Sequence, residues 1–199
     1  MSCHNFGIFG GTFNPVHIGH LILAQEVKEK MNLEKIIFVP SGNPPHKKAD
    51  VTKEDRLQML RLAIEDNSDF IIEDYEIKKT SKSYSLETIK YLEGKYNCKD
   101  MYFIIGEDSF MEIEDWYKYE ELISKVKLIV VNRKTEYKDT IEEKIKRYSR
   151  DGVEVKFVKI PNLEISSSYI REEFKEKRDP KYYIPKASYE YIKQRGLYD

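Results

Sequence analysis

The segment Gly10-Gly11-Thr12-Phe13-Asn14-Pro15-Val16-His17-Ile18-Gly19-His20 brings three glycines, a threonine and two histidines close together. Glycines in a turn let backbone N–H groups approach a phosphate closely, and a helix starting there adds positive potential. His17 and His20 share a face of the first helical turn, so both can point at an anion. Gly19 between them leaves room for a ligand. Taken alone, two such histidines could equally be packed or surface side chains. Their place in a Gly-Gly-Thr turn favours phosphate chemistry. Zinc is the weaker alternative, since His4 and His46 are the remaining histidines and neither has helpful spacing. Other phosphate motifs are missing. The chain has no G-x-x-x-x-G-K-[ST] and no G-x-G-x-x-G, which argues against a P-loop and an NAD-binding dehydrogenase.

A second cluster, Glu164-Ile165-Ser166-Ser167-Ser168-Tyr169-Ile170-Arg171, sets three serines at a helix start with an arginine in its first turn. Hydroxyls and N–H groups there would hold a second phosphate group, with Arg171 adding fixed charge. The alternative is an ordinary serine N-cap with a solvated arginine. Lys47 and Lys48 lie in a loop, Ser41 to Asp50, rich in Gly, Pro and Lys. A mobile loop is expected there. Trp116 is the single tryptophan and sits in a polar stretch. It could be a ligand-stacking ring or a packed one.

The elements that must position these residues follow from the hydrophobic pattern. Phe6–Phe9 reads as a buried strand entering a tight turn, and Ile18 to Met31 as an amphipathic helix. Strands are expected at Ile36–Val39, Phe70–Ile77, Met101–Ile105, Val126–Val131 and Val153–Ile160. Thr52 reads as the N-cap of a helix carrying Leu57, Leu60 and Ile64. Further helices are expected over Ser85–Tyr96, Tyr117–Lys125, Thr140–Ser149, Ser168–Glu176 and Pro185–Arg195. Pro185 suits the first helical position and Gly196 the closing cap. Alternating strands and helices, with strands apolar throughout, imply an α/β fold. We expect a doubly wound, Rossmann-like parallel sheet with helices on both faces and a short C-terminal helical segment. Ligands of such sheets bind at the carboxyl ends of the strands.

These motifs together resemble the HxGH-type nucleotidyltransferase superfamily. Within it, Pro44-Pro45-His46-Lys47, Ser83-Tyr84-Ser85-Leu86-Glu87-Thr88, Ile105-Gly106-Glu107-Asp108, Trp116-Tyr117 and the ending Gly196-Leu197-Tyr198 resemble bacterial nicotinate-nucleotide adenylyltransferases over nearly the whole chain. The resemblance implies adenylyl transfer from ATP to nicotinate mononucleotide, giving deamido-NAD and pyrophosphate. It implies ATP contacts from Gly11, Thr12, Phe13, His17, His20, Ile105, Gly106, Asp108, Ser167, Ser168 and Arg171. It implies nicotinate-nucleotide contacts from Gly10, His46, Lys47, Ser85, Trp116, Tyr117 and Arg133. His17, His20, Lys47 and Arg171 would carry the catalytic charge. Mg²⁺ would be bound mainly through the ATP phosphates, with no dedicated protein ligands. This chain departs from the family pattern at Asn14, where Asp is frequent. Ser168 and Ser85 stand where Thr is common, and Ser41 where Asn often follows the strand.

The chain is 199 residues long with a net charge of −1, enough for one nucleotidyltransferase domain over 1–199. It lacks the basic excess of a general nucleic-acid binder. No apolar run is long enough for a membrane helix, and no signal peptide is expected. Two cysteines, Cys3 and Cys98, make no disulfide framework, and reduced thiols fit a cytoplasmic protein. A homo-oligomer is compatible with the sequence. Rival readings are the same chemistry on phosphopantetheine or a nicotinamide nucleotide, a nucleotide-binding regulator without turnover, and a flavodoxin-like carrier.

Overall fold

The computed structural model describes residues 5–43, 49–98, 100–132 and 138–198, with backbone only at 138 and 139. Six strands alternate with helices: β1 Phe6–Gly11, β2 Lys35–Pro40, β3 Phe70–Ile72, β4 Met101–Gly106, β5 Lys127–Val131 and β6 Val155–Val158. The helices are α1 Ile18–Lys30, α2 Lys53–Ile64, α3 Tyr75–Lys78, α4 Ser85–Tyr96, α5 Glu107–Met111, α6 Tyr119–Ile123, α7 Lys138–Arg150, α8 Ser167–Lys175 and α9 Lys186–Arg195. The sheet order is β3-β2-β1-β4-β5-β6, with every pair parallel. The expected doubly wound sheet is therefore present.

The period of two along each strand sorts side chains to two faces. Phe9, Ile36, Phe38, Ile104, Ile129 and Val131 meet Leu23 and Val27 of α1, Leu60 of α2, Ile170 of α8 and Ile192 of α9. Ile8, Ile37, Val39, Phe103, Ile105 and Val130 pack under Leu86 and Ile89 of α4, Phe110 of α5, Leu122 of α6 and Tyr148 of α7. Both faces are covered, which explains strands that are apolar throughout. Register sets Gly11 beside Pro40 and Gly106 beside Val131, so the carboxyl ends of β1, β2, β4 and β5 line one edge. The switch in strand order falls between β1 and β4.

Three expectations need correction. The strand read as Phe70–Ile77 stops at Ile72, and Tyr75–Lys78 turns into α3. Glu73 is buried and pairs with Lys95 of α4 at 2.5 Å, while Lys78 pairs with Asp74 at 2.7 Å, the i,i+4 spacing of a helix rather than a strand. Pro185 caps α9 rather than occupying its first turn, while Gly196 closes that helix at φ 60° as expected. Cys98, read as a reduced thiol, is disulfide-bonded and buried, with its partner outside the described residues. None of the described helices is long and apolar enough to cross a membrane.

Candidate active site

The β1–α1 turn holds its shape by packing. Phe13 is buried at φ 49°, a left-handed conformation that costs a bulky residue about 1–2 kcal/mol. Its ring is held edge-on against Phe9 and His20, and a Cβ on Gly11 would come 2.9 Å from it. Non-glycine residues forced into such backbone cluster at functional turns. His17 is the N-cap of α1 and is buried. Its backbone N–H donates to Nδ1 of His20 at 3.2 Å. A ring nitrogen that accepts carries no proton, so in the neutral ring the proton sits on Nε2. His20 thus presents Nε2–H as a donor. The two imidazoles lie 3.7 Å apart between centroids. A Cβ on Gly19 would meet the His17 ring at 3.0 Å, so glycine is what lets that ring lie across the helix start.

The late serine-arginine segment meets this turn. Ser166 caps α8 by accepting from the Tyr169 N–H. The next hydroxyl, Ser167, donates to the Pro15 carbonyl at 2.8 Å. Arg171 donates to the Asn14 carbonyl at 2.9 Å and to Asp50 at 2.8 Å, with a long contact to Ser168 Oγ at 3.4 Å. Its guanidinium is 23% exposed, so it is not the solvated charge a lone helix arginine would be. The two phosphate-type clusters, far apart in sequence, thus sit in direct contact.

On the other side of the switch point, Ile105 is buried at the end of β4, and Gly106 is the N-cap of α5. Asp108 is exposed in the first turn of that helix. Trp116 is half-buried, edge-on to Phe103 at 6.2 Å. Tyr117 is 47% exposed and lies against Tyr84 at 4.6 Å. Tyr84 is the N-cap of α4, so this ring contact holds Trp116-Tyr117 beside Ser85, the first residue of that twelve-residue helix. A helix start of this length attracts a carboxylate. Gly10 lies at the end of β1 and Thr12 just after it, with Gly10 exposed and nothing within 4 Å of where its Cβ would be.

His46, Lys47 and Arg133 lie outside the described residues, as does half of the loop from Ser41 to Asp50. Several residues of the site escaped sequence reading. Asp50 occupies Arg171 and also accepts from Asn14 Nδ2 at 3.1 Å. Tyr198 donates to Asn14 Oδ1 at 2.7 Å, and burial pushes its hydroxyl pKa far up, keeping it a donor. Asn14 therefore accepts from Tyr198 and donates to Asp50, and an anionic side chain here could serve only the first of these. No sequence signal marks Asp50, and Tyr198, although part of the closing motif, shows its role only through a partner remote in the chain. Arg56 does leave a trace, because it falls one turn before Leu60 on the apolar stripe of α2.

Among the described residues no group of three His, Cys, Asp or Glu could hold a metal ion. The donors around the turn are imidazole, guanidinium, hydroxyl and backbone, a set that suits phosphate oxygens and a cation carried by them.

A doubly wound sheet with a glycine- and histidine-rich turn at its switch point fits a nucleotidyltransferase, and the chain belongs to the cytidylyltransferase-like family, whose profile matches residues 8–173. It is 42% identical over 195 residues to a probable nicotinate-nucleotide adenylyltransferase of Caldicellulosiruptor bescii, covering 96% of this chain and 97% of that protein. A protein of the same description from Clostridium tetani is 42% identical over 200 residues, with 96% and 97% covered. Within the wider group, then, its family is that of the nicotinate-nucleotide adenylyltransferases. The fold matches Plasmodium falciparum nicotinic acid mononucleotide adenylyltransferase complexed with NaAD, at TM-score 0.82, 22% identity and 98% of each chain.

Proposed function

We infer that the protein transfers the adenylyl group of ATP to nicotinate mononucleotide, forming deamido-NAD and releasing pyrophosphate, a step of NAD biosynthesis. Family membership over nearly the full length supports the activity. The roles of individual residues are our proposal. What supports them is one observation: Ser167 and Arg171 bond the backbone of Pro15 and Asn14, within three residues of His17.

The mononucleotide phosphate is already anionic at neutral pH and attacks the α-phosphorus of ATP in line. One O–P bond forms as the bond from the α-phosphorus to the bridging oxygen breaks, and the electron pair leaves on pyrophosphate. Neither a general base nor a covalent intermediate is needed. The protein's work is alignment and neutralisation of growing charge. His20 donates from Nε2 and His17 adds a second imidazole at the α- and β-phosphates. Arg171, Ser167 and Ser168 hold the β- and γ-phosphates. Backbone of Gly11, Thr12 and Phe13 faces the reacting groups, while Ile105, Gly106 and Asp108 border the adenosine. Trp116 stacks on the pyridine ring. The start of α4 at Ser85, with Tyr117, receives the carboxylate. Gly10, His46, Lys47 and Arg133 complete the acceptor side. Mg²⁺ would be held mainly through the ATP phosphates and would supply further charge neutralisation there.

Residues 1–199 form one nucleotidyltransferase domain that acts on small molecules, as a monomer or a homo-oligomer. Charge at the α4 start favours the acid over the amide of the mononucleotide. Pyrophosphate release with ATP and either mononucleotide tests this directly. Faster turnover of nicotinate mononucleotide is expected. Equal or reversed preference would remove the carboxylate site, and no release with either would remove the activity.

A further inference from the structure

Arg56 lies in the middle of the protein, 1% exposed, among the largest fully buried side chains. Burying a guanidinium is costly unless its donors are satisfied. Nη1 donates to the Thr12 carbonyl at 2.7 Å and Nη2 to the Gly42 carbonyl at 3.1 Å. Both acceptors are backbone groups, and Nε has no partner among the described residues. Thr12 belongs to the ATP-side turn after β1. Gly42 belongs to the segment that leaves β2 toward Pro44-Pro45-His46-Lys47. One planar fork therefore ties together the exits of two neighbouring strands.

Gly42 is gripped from its other side as well. Its backbone lies against Glu76 on α3, where a Cβ on Gly42 would fall 2.0 Å from the Glu76 carbonyl oxygen. That contact leaves no space for a side chain. Glu76 is itself buried and accepts the Thr88 hydroxyl at 2.6 Å. Thr88 sits on α4, one turn past Ser85. Hydrogen bonds from Arg56 to Thr12 and Gly42, close packing of Gly42 on Glu76, and the Thr88 bond to Glu76 thus link the turn to the helix start on the acceptor side.

We propose that Arg56 and Glu76 are positioning residues that fix the spacing between the triphosphate turn and the acceptor-binding helix, by clamping Gly42 between them. Neither side chain contacts substrate in this account. Each half-site binds its own ligand through local groups, and the clamp sets how the two phosphates face one another. The inference rests on the adenylyl-transfer reading, because that reading assigns the two ends to different substrates. Arginine is needed rather than lysine, since a single ammonium cannot span two carbonyls in fixed geometry.

The test is steady-state kinetics of Arg56→Lys and Thr88→Val beside the unaltered enzyme, scaled to folded protein by thermal melting. Misalignment of about 1 Å can cost ~10²-fold in rate. The expected result for R56K is kcat lowered ~10–100-fold, with KM for ATP and for the mononucleotide each within about threefold. T88V, nearly isosteric at the far end, is expected to lower kcat ~3–10-fold in the same pattern, by releasing one end of the Glu76 carboxylate. If R56K does not fold, T88V alone decides. Unchanged kcat per folded molecule in the foldable variants, or a rise in one KM with kcat intact, overturns the clamp and leaves the activity standing. Absence of pyrophosphate release from the unaltered enzyme overturns both.

Discussion

The two sides of the cleft are built differently. On the triphosphate side, nearly every charged or polar group is already held before a ligand arrives. His17 is buried, His20 accepts a backbone N–H, and Arg171 is engaged by Asn14, Ser168 and Asp50. The acceptor side is looser, with an exposed Tyr117, a half-buried Trp116 and a helix start. The difference teaches how the work is divided. Stabilising charge in a transition state rewards donors that need no reorganisation. Recognising a flat ring is better served by an open aromatic surface. Substitutions on the first side should cost turnover, and those on the second should cost acceptor binding.

The largest effect is expected at His20. His20→Ala should lower kcat ~10²–10³-fold or more, the scale seen for loss of one oxyanion-type donor. Its melting temperature should stay close to that of the parent. Near-parental turnover would remove His20 from the mechanism. Arg171→Ala should follow, lowering kcat/KM for ATP by about 10²-fold through loss of a charge-assisted fork. KM for the mononucleotide should hardly move, and an effect confined to the acceptor would blur the division between the two sides. Trp116→Ala sharpens the contrast from the other direction. Base–aromatic stacking is worth about 1–3 kcal/mol, so KM for the mononucleotide should rise ~10-fold or more while KM for ATP stays put. Competition assays with each substrate varied would read this.

The smallest effect concerns a residue to which neither side of the cleft assigns a role. Burial pushes Asp55 upward, but hydrogen bonds from Thr52 and Tyr191 and the charge of Arg195 outweigh it and hold the carboxyl below its ordinary 3.8. A carboxyl depressed on folding contributes stability above its unfolded pKa and loses it as pH falls through the folded value. Asp55→Asn should therefore lower the melting temperature by about 3–6 °C at pH 7. The gap between parent and variant should close as the pH drops below 3.8. A gap that stays constant with pH would mean that Asp55 acts through packing alone.

Legibility follows the same division. The triphosphate turn could be read because glycines, histidines and a strand–helix junction lie in one short stretch. The sheet could be read because β1, β2, β4 and β5 are apolar on both faces, and Thr52 and Gly196 announce helix ends. The short α3 and α5 carry too few turns to show a period, so α3 was absorbed into a strand and α5 was not foreseen. The acceptor side is assembled from Tyr84, Ser85, Trp116 and Tyr117, brought together by one ring contact that no local pattern encodes. The contacts of Asp50 and Glu76 leave no local trace for the same reason. Arg56 could have been noticed as a charge on an apolar stripe, although such a residue usually snorkels to solvent.

The most direct test of the whole account is a crystal structure with a non-hydrolysable ATP analogue. The triphosphate is predicted to touch both His20 Nε2 and the Arg171 guanidinium, with phosphate oxygens displacing the Asp50 carboxylate from that arginine. A triphosphate seated on one of these groups alone, or bound away from the β1–α1 turn, would contradict it.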